Sequence, residues 1–208
     1  LLIQYNLHSQ LSDSKIINVS GKQRFLSQKL TKEILILNFV TETKNNKEGI
    51  DKINEIIRLW KFNQYALVKG NDSLGFPKEK SKELNDLFLD INPNFNTIIE
   101  ASTQFLKNKK LGINDKENQV LVQTILKNSA VFLDKMDTIV GQYDKEALEK
   151  VTLQSKIEYV ILGFTMLVLL LEFIFIFKPT NKKVETLISK LLFSEKKALK
   201  LAHDTEVI

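Results

Sequence analysis

The chain has 208 residues with only 7 Gly and 3 Pro, and 43% of its residues are hydrophobic, a balance that favours long helices with few connections. It contains no Cys, which excludes disulfides and thiolate metal sites. The formal net charge is +5, and the Lys residues are spread along the predicted helices, which indicates solvated helix faces and no nucleic-acid partner.

Three amphipathic helices are predicted within residues 7–107. The first covers residues 7–45 and the second residues 51–69, each with apolar side chains at helical spacing. Turn-forming residues occupy positions 70–77. A third helix is predicted over residues 79–107, and Pro93 should break or kink it because proline lacks a backbone donor.

A fourth helix is predicted from about Lys116, with no proline before Pro179. If unbroken it has roughly 60 residues and is about 90 Å long. Four helices joined by short connections predict an up-down-up-down bundle. The long terminal helices carry apolar stripes that a second copy could cover, so we expect a homodimer.

Residues 157–177 are predicted to cross a lipid bilayer. Only Glu158 and Glu172 are charged in this segment, and 21 helical residues extend roughly 31 Å, the thickness of a bilayer core. The expected fold is therefore all-α, a four-helix bundle with long terminal helices that continues into a transmembrane helix and a cytoplasmic coiled-coil linker.

The flanks of this segment predict its orientation. Residues 178–208 contain 7 Lys and 4 acidic residues, the excess typical of a cytoplasmic flank. Residues 7–156 are then an extracytoplasmic sensor bundle anchored in the bacterial cytoplasmic (inner) membrane. Residues 1–6, which begin Leu1-Leu2-Ile3, are interpreted as the end of a truncated first transmembrane helix.

Residues 178–208 are predicted to form a cytoplasmic signalling helix. A weak heptad seam steps by three and four residues through Val184, Leu187, Leu191, Ser194, Ala198, Leu201 and Thr205. A signalling linker and a tail without its partner both remain open interpretations.

His203 lacks the Arg and Pro of a kinase phosphorylation box. The sequence also contains no evident nucleophile–base pair or phosphate loop. The chain itself is therefore predicted to be neither an enzyme nor a cofactor or metal protein.

The most specific local pattern is the run Ile-Asn-Val-Ser-Gly-Lys-Gln-Arg-Phe-Leu-Ser-Gln at residues 17–28. Gly21 in the middle of a helix costs about 1 kcal/mol relative to Ala, which indicates close approach of a helix or ligand. Asn18 and Arg24 lie one turn to either side of it. If this helix meets its own copy, two guanidinium groups would require an anion between them; an ordinary surface salt bridge is the alternative.

This run resembles the signature of the PilJ-type domain, the N-terminal sensor domain of type IV pilus chemotaxis transducers, and is related to the first-helix box of nitrate and nitrite sensor kinases. Residues 69–77 resemble the family's loop between the second and third helices, and residues 170–179 resemble the end of its second span. The resemblance thus extends over nearly the whole chain.

The resemblance implies a dimeric four-helix sensor in which an anion is held by the motif arginine of both protomers. It makes Arg24 the leading ligand residue, with Gly21, Asn18, Ser20 and Lys22 around it. Lys22 stands where the family commonly has Arg, and lysine cannot form the planar two-pronged contact, so a small anion is expected and its identity stays open.

We therefore expect a ligand-sensing and signal-relay region whose output domain follows Ile208. A histidine kinase of a two-component system is the leading output, and a diguanylate cyclase or chemoreceptor is also compatible. The alternative is a membrane-tethered helical adaptor that binds a protein partner and no small ligand.

Overall fold

The computed structural model describes the backbone of residues 2–39, 43–112 and 115–206, and the side chains of residues 10–39, 47–112 and 116–198. The predicted all-α class is confirmed, since the described residues form helices and, apart from one isolated bridge between Asn71 and Phe76, no β-structure. The elements are α1 (Leu2–Phe39), α2 (Thr43–Lys69), α3 (Lys82–Leu111), α4 (Asp115–Glu172), a π-helical turn (Phe173–Phe177) and α5 (Lys178–Glu206).

The chain divides into two compact units, Leu1–Glu149 and Lys150–Ile208. The first unit contains α1, α2, α3 and the first part of α4. The second contains the remainder of α4, the π-helical turn and α5. Leu1 and the side chains of residues 2–9 lie outside the described residues, and so does the prediction of a truncated span there.

In the first unit, α1 and α2 pack antiparallel. Glu33 on α1 forms a 2.8 Å ion pair with Lys52 on α2. A Cβ added to Gly49 would lie 3.1 Å from Leu37, so the absence of a side chain lets the two helices approach closely near their connection. At the opposite end the Ser12 hydroxyl donates a 2.5 Å hydrogen bond to the carbonyl of Gly75, beyond the end of α2.

The other neighbouring helices are antiparallel as well. The Asn94 amide on α3 donates to Asn128 on α4 at 3.0 Å, and the Ser81 hydroxyl at the start of α3 donates to Glu146 late in the bundle part of α4 at 2.5 Å. Helix α4 also lies beside α1, where the Thr31 hydroxyl donates to Ser129 at 3.0 Å. These contacts describe the predicted up-down-up-down four-helix bundle.

An aromatic cluster fills the middle of the bundle. The indole ring of Trp60 on α2 packs edge-on against Phe95 on α3 and Phe132 on α4, with ring centroids 5.0 Å apart in both pairs. Trp60 and Phe132 are fully buried. Edge-to-face packing adds about 0.5–1.5 kcal/mol per pair to the burial of the rings, so this cluster ties α2, α3 and α4 together.

The connection between α2 and α3 is a compact turn. Gly70 has φ +79°, and a Cβ there would lie 2.8 Å from the backbone of Lys78, so this position requires glycine. Ser81 then caps α3, since its hydroxyl accepts a 3.1 Å hydrogen bond from the Leu84 amide. Gly112, at φ +65°, ends the helix with its N–H bonded to the Asn108 carbonyl.

Several details of the predicted helices were wrong. Helix α2 begins at Thr43, so the predicted interruption around Gly49 is helical. Helix α3 continues through Pro93, so the break, one of the two predicted effects of this proline, does not occur. Leu11 and Tyr65 have the helical spacing of the predicted apolar stripes, but their side chains are exposed. Local propensity and apolar spacing are weak signals, and tertiary context commonly overrides them.

The second unit is helical along its described length. One helical stretch is long and apolar enough to cross a membrane by length and composition, and all residues of the predicted span 157–177 are exposed in the single chain. Pro179 does not end the helix. A π-helical turn precedes it, with the Lys178 N–H bonded to the Phe173 carbonyl, and this wider turn accommodates a residue that lacks its own backbone donor.

Candidate functional site

The turn of α1 around Gly21 has two chemically different faces. Ser20, Gln23 and Ser27 point into the bundle and are fully buried. Asn18 and Lys22 are exposed, and Arg24 is half-buried. The helical period of 3.6 residues separates these two sets, because positions 20, 23 and 27 follow one stripe while 18 and 22 follow another.

The outer face of this turn forms one wall of a surface groove, which we call the Arg24 groove. Its lining comes from α1 and from a single residue of α4: Ile17, Asn18, Val19, Gly21, Lys22, Arg24 and Val140. Four of the five site residues predicted from the sequence therefore lie together. Ser20 is the exception, since its side chain faces the bundle interior.

Gly21 lies directly beneath the arginine side chain. A Cβ built on Gly21 would lie 3.5 Å from Nη2 of Arg24, an ordinary contact distance. The guanidinium thus extends back over the glycine one turn earlier. A larger residue at position 21 would fill the floor of the groove beside this group.

Arg24 already has an anionic partner within the chain. Its Nη1 donates to Oδ1 of Asp137 on α4, and the two side chains are 40% and 52% exposed. The pair joins the first and last helices of the bundle directly at the motif. Sequence reasoning allowed for a salt bridge to Arg24 but did not find Asp137, because the partner is 113 residues away and only the antiparallel register of α1 and α4 brings it close.

The backbone of this turn is held by local hydrogen bonds. The Ser27 hydroxyl donates to the Arg24 carbonyl at 2.8 Å, and the Thr31 hydroxyl donates to the Ser27 carbonyl at 2.9 Å. Lys29, one turn after Phe25, places its Nζ 5.6 Å from the ring centre of that exposed side chain. Its ammonium is therefore occupied by an aromatic face and does not line the Arg24 groove.

A second, mostly apolar groove follows α1 and α4 toward the other end of the bundle. It is lined by Gln28, Thr31, Lys32, Leu35, Ile36, Leu126, Ser129, Ala130 and Leu133. Ile36 and Leu126 are 48% and 40% exposed in the single chain. The α1–α4 face of the bundle thus combines a charged groove with an uncovered apolar one.

Comparison with protein families matches residues 5–126 to the family described as the type IV pili methyl-accepting chemotaxis transducer N-terminal domain, PilJ. This match covers more than half of the chain. The chain belongs to the PilJ family. A search of curated proteins and a search of solved structures give no match.

Family membership makes this PilJ-family chain a sensing region of a signal transducer. The matched residues include the Gly21–Arg24 motif and the turn at residues 69–77, two of the three stretches that carried the resemblance. The third stretch, residues 170–179, lies beyond the matched segment. It contains the end of α4, the π-helical turn and Pro179.

Proposed function

We propose that this chain is the extracytoplasmic sensing and transmembrane relay part of a bacterial receptor that binds a small anion at the Arg24 groove of a homodimer. The observation that carries the proposal is the half-exposed guanidinium of Arg24, which lies over Gly21 in a groove on the outside of the bundle. Arginine presents planar paired donors that suit an oxyanion, and Lys22 and Asn18 add a cation and an amide in the same groove.

The site lies on a face that is suited to a second copy. The apolar groove along α1 and α4 continues from the turns that follow Arg24, and its exposed Ile36 and Leu126 would be covered by the same face of a partner protomer. A two-fold contact of this face would bring two copies of α1 together. The resemblance of the motif to the first-helix box of nitrate and nitrite sensor kinases makes nitrate and nitrite the first anions to examine.

Membrane placement completes the proposal. The apolar stretch at residues 157–177 would cross the cytoplasmic membrane, and the Lys-rich residues 178–208 would lie in the cytoplasm. A small displacement of α1 against α4 would then pass along α4 to α5 and to an output domain after Ile208. A histidine kinase is the output that we favour, and a diguanylate cyclase or a chemoreceptor would use the same input.

Isothermal titration of the 208-residue chain in lipid nanodiscs with nitrate, nitrite and sulfate tests this function. We expect heat from at least one anion, and we expect Arg24→Ala to weaken its binding about tenfold or more, because a hydrogen bond to a charged group contributes about 1.5–3 kcal/mol. Arg58→Ala is the matched control, since Arg58 is the chain's other arginine and is exposed on α2.

Equal heats from wild type and Arg24→Ala, or no heat from any of the three anions, would contradict the anion site.

The alternative function, a membrane-tethered adaptor for a protein partner, is favoured by the apolar groove between α1 and α4. It predicts that substitutions of exposed Ile36 or Leu126 abolish signalling while Arg24→Ala leaves it intact.

A further inference from the structure

The ion pair between Arg24 and Asp137 occupies the guanidinium that the proposed anion would bind. One edge of the guanidinium, at Nη1, is bound by the Asp137 carboxylate, while Nη2 lies over Gly21. An incoming oxyanion that approaches the Nη1–Nη2 edge of the guanidinium therefore finds one of its two donors already bound. The carboxylate of Asp137 is itself a planar oxyanion and presents the chemistry that the ligand would present.

The pair is exposed enough to be exchanged. Both side chains are about half accessible, and exposed ion pairs contribute only about 0–1 kcal/mol because water and salt compete for both charges. The Asp137 carboxylate binds Arg24 from the neighbouring helix. A soluble anion in the groove can also contact Lys22 or Asn18 and so gains binding energy that Asp137 lacks. Displacement of the carboxylate is thus energetically accessible.

The ion pair also connects the first and last helices of the bundle, so its loss would weaken the contact between them. It lies between α1 and α4 about two turns from the Thr31–Ser129 hydrogen bond, which joins the same two helices. One charged link and one neutral link thus join these two helices within about two turns. Release of the charged link would leave the motif turn of α1 held to α4 by fewer contacts.

We propose that Asp137 is a built-in competitor for the anion, which binds Arg24 in the empty receptor and is displaced when a ligand arrives. This inference rests on the proposed anion site and adds a residue on α4 that sets the ligand threshold. The competitor lowers the apparent affinity for every anion. Ligand binding also removes the Arg24–Asp137 link between α1 and α4, so filling the anion site weakens the contact between the first and last helices.

Titration of the Asp137→Asn variant with nitrate, nitrite and sulfate tests the competitor. The amide keeps the shape of the carboxylate and loses its charge, so the anion that binds wild type most tightly should bind the variant about fivefold more tightly, and Asp137→Ala should shift in the same direction. Asp90→Asn is the matched control. It breaks the ion pair between Asp90 of α3 and Lys135 of α4, which lies outside the Arg24 groove, and should leave anion affinity unchanged.

The outcomes separate this inference from the site on which it rests. Anion binding that depends on Arg24 but has the same or weaker affinity in Asp137→Asn would overturn the competitor and leave the site intact. No binding in wild type, Asp137→Asn or Asp137→Ala would overturn both. Tighter binding in Asp137→Asn alone, with Asp137→Ala unchanged, would also contradict competition, because both variants remove the charge.

A second readout follows the contact between the helices. The chain has no native cysteine, so the paired substitutions Thr31→Cys and Ser129→Cys, whose native hydroxyl oxygens are 3.0 Å apart, report the approach of α1 and α4 by their rate of disulfide formation. Saturating anion should change this rate in the wild-type background and leave it unchanged when Asp137→Asn is added. An equal response in both backgrounds would contradict the proposed coupling.

Discussion

The inner face of the motif turn, beneath the Arg24 groove, carries a buried polar side chain, Gln23. Gln23 on α1 and Gln64 on α2 are buried, and within the described residues neither atom of either side-chain amide has a hydrogen-bond partner. The two residues lie at similar heights in the bundle, since the α1–α2 register that pairs Glu33 with Lys52 also brings position 23 near position 63. Each buried, unpaired amide costs about 1–3 kcal/mol, so stability is lost directly beneath the proposed site.

Replacement of these amides by leucine should stabilise the bundle. We expect Gln23→Leu and Gln64→Leu each to raise the free energy of unfolding by about 1 kcal/mol, because each removes unpaired polar atoms and keeps most of the buried volume. Urea unfolding followed by the fluorescence of Trp60, the single tryptophan, measures the change. Gln123→Leu, at an exposed position on α4, should be close to neutral. A loss of stability in Gln23→Leu would show that its amide is paired within the bundle.

At the scale of elements, α3 shows how a helix keeps a proline in its interior. Pro93 cannot donate to the carbonyl of Leu89, and both residues face the solvent, where water can bind that carbonyl. On the same turn, Lys135 of α4 donates a 2.9 Å hydrogen bond to the Asp90 carbonyl and forms an ion pair with the Asp90 side chain. The neighbouring helix thus supplies a donor where the proline weakens the helix.

A double-mutant cycle tests this compensation. Pro93→Ala should raise the free energy of unfolding by about 1 kcal/mol or more, since proline is about 3 kcal/mol worse than alanine in a helix interior. Lys135→Met should lower the free energy of unfolding of the native chain. This loss should be about 0.5–1 kcal/mol smaller in the Pro93→Ala background, where the helix has a backbone donor at position 93. The control Asn96→Ala, on an exposed position of α3, should gain only a few tenths of a kcal/mol. Strictly additive effects would show that Lys135 does not compensate for the proline.

At the scale of the whole molecule, the second unit leaves its apolar side chains uncovered. Val184, Leu187 and Leu191, the first members of the predicted heptad seam, are all exposed in the single chain, while the side chains of Leu201 and Thr205 lie outside the described residues. Uncovered heptad positions on a helix of 29 residues are typical of a segment that pairs with another helix. The seam therefore supports the homodimer of the proposed function.

Cysteine cross-linking tests this pairing without a background signal, since the chain has no cysteine of its own. We expect Leu187→Cys and Leu191→Cys to form disulfide-linked dimers in membranes under mild oxidation, because seam positions of a parallel pair face each other. Ser189→Cys, on the outside of the same turn, should cross-link several-fold more slowly. Equal rates at all three positions, measured on non-reducing gels, would exclude a specific seam.

Much of this architecture could be predicted from local patterns. The scarcity of Gly and Pro, the helical spacing of apolar residues and the apolar run at 157–177 are properties of single segments, and they predicted the all-α bundle and the candidate span. Gly21, Arg24 and Asn18 share a groove because they lie within two turns of one helix, so their grouping follows from the helical period alone.

Tertiary structure decided the features that depend on the register between helices. Asp137 pairs with Arg24, and Val140 lines the Arg24 groove, only because α4 runs antiparallel beside α1, and no signal near either α4 residue reports that pairing. Ser20 is part of the motif in sequence but faces the interior, because the helix turns its side chain away from Arg24. Pro93 is tolerated where the Leu89 carbonyl faces solvent and Lys135 of α4 binds the adjacent Asp90 carbonyl, and Pro179 follows a widened turn. Local chemistry specified the helices and the arginine, and packing specified the carboxylate that the arginine meets.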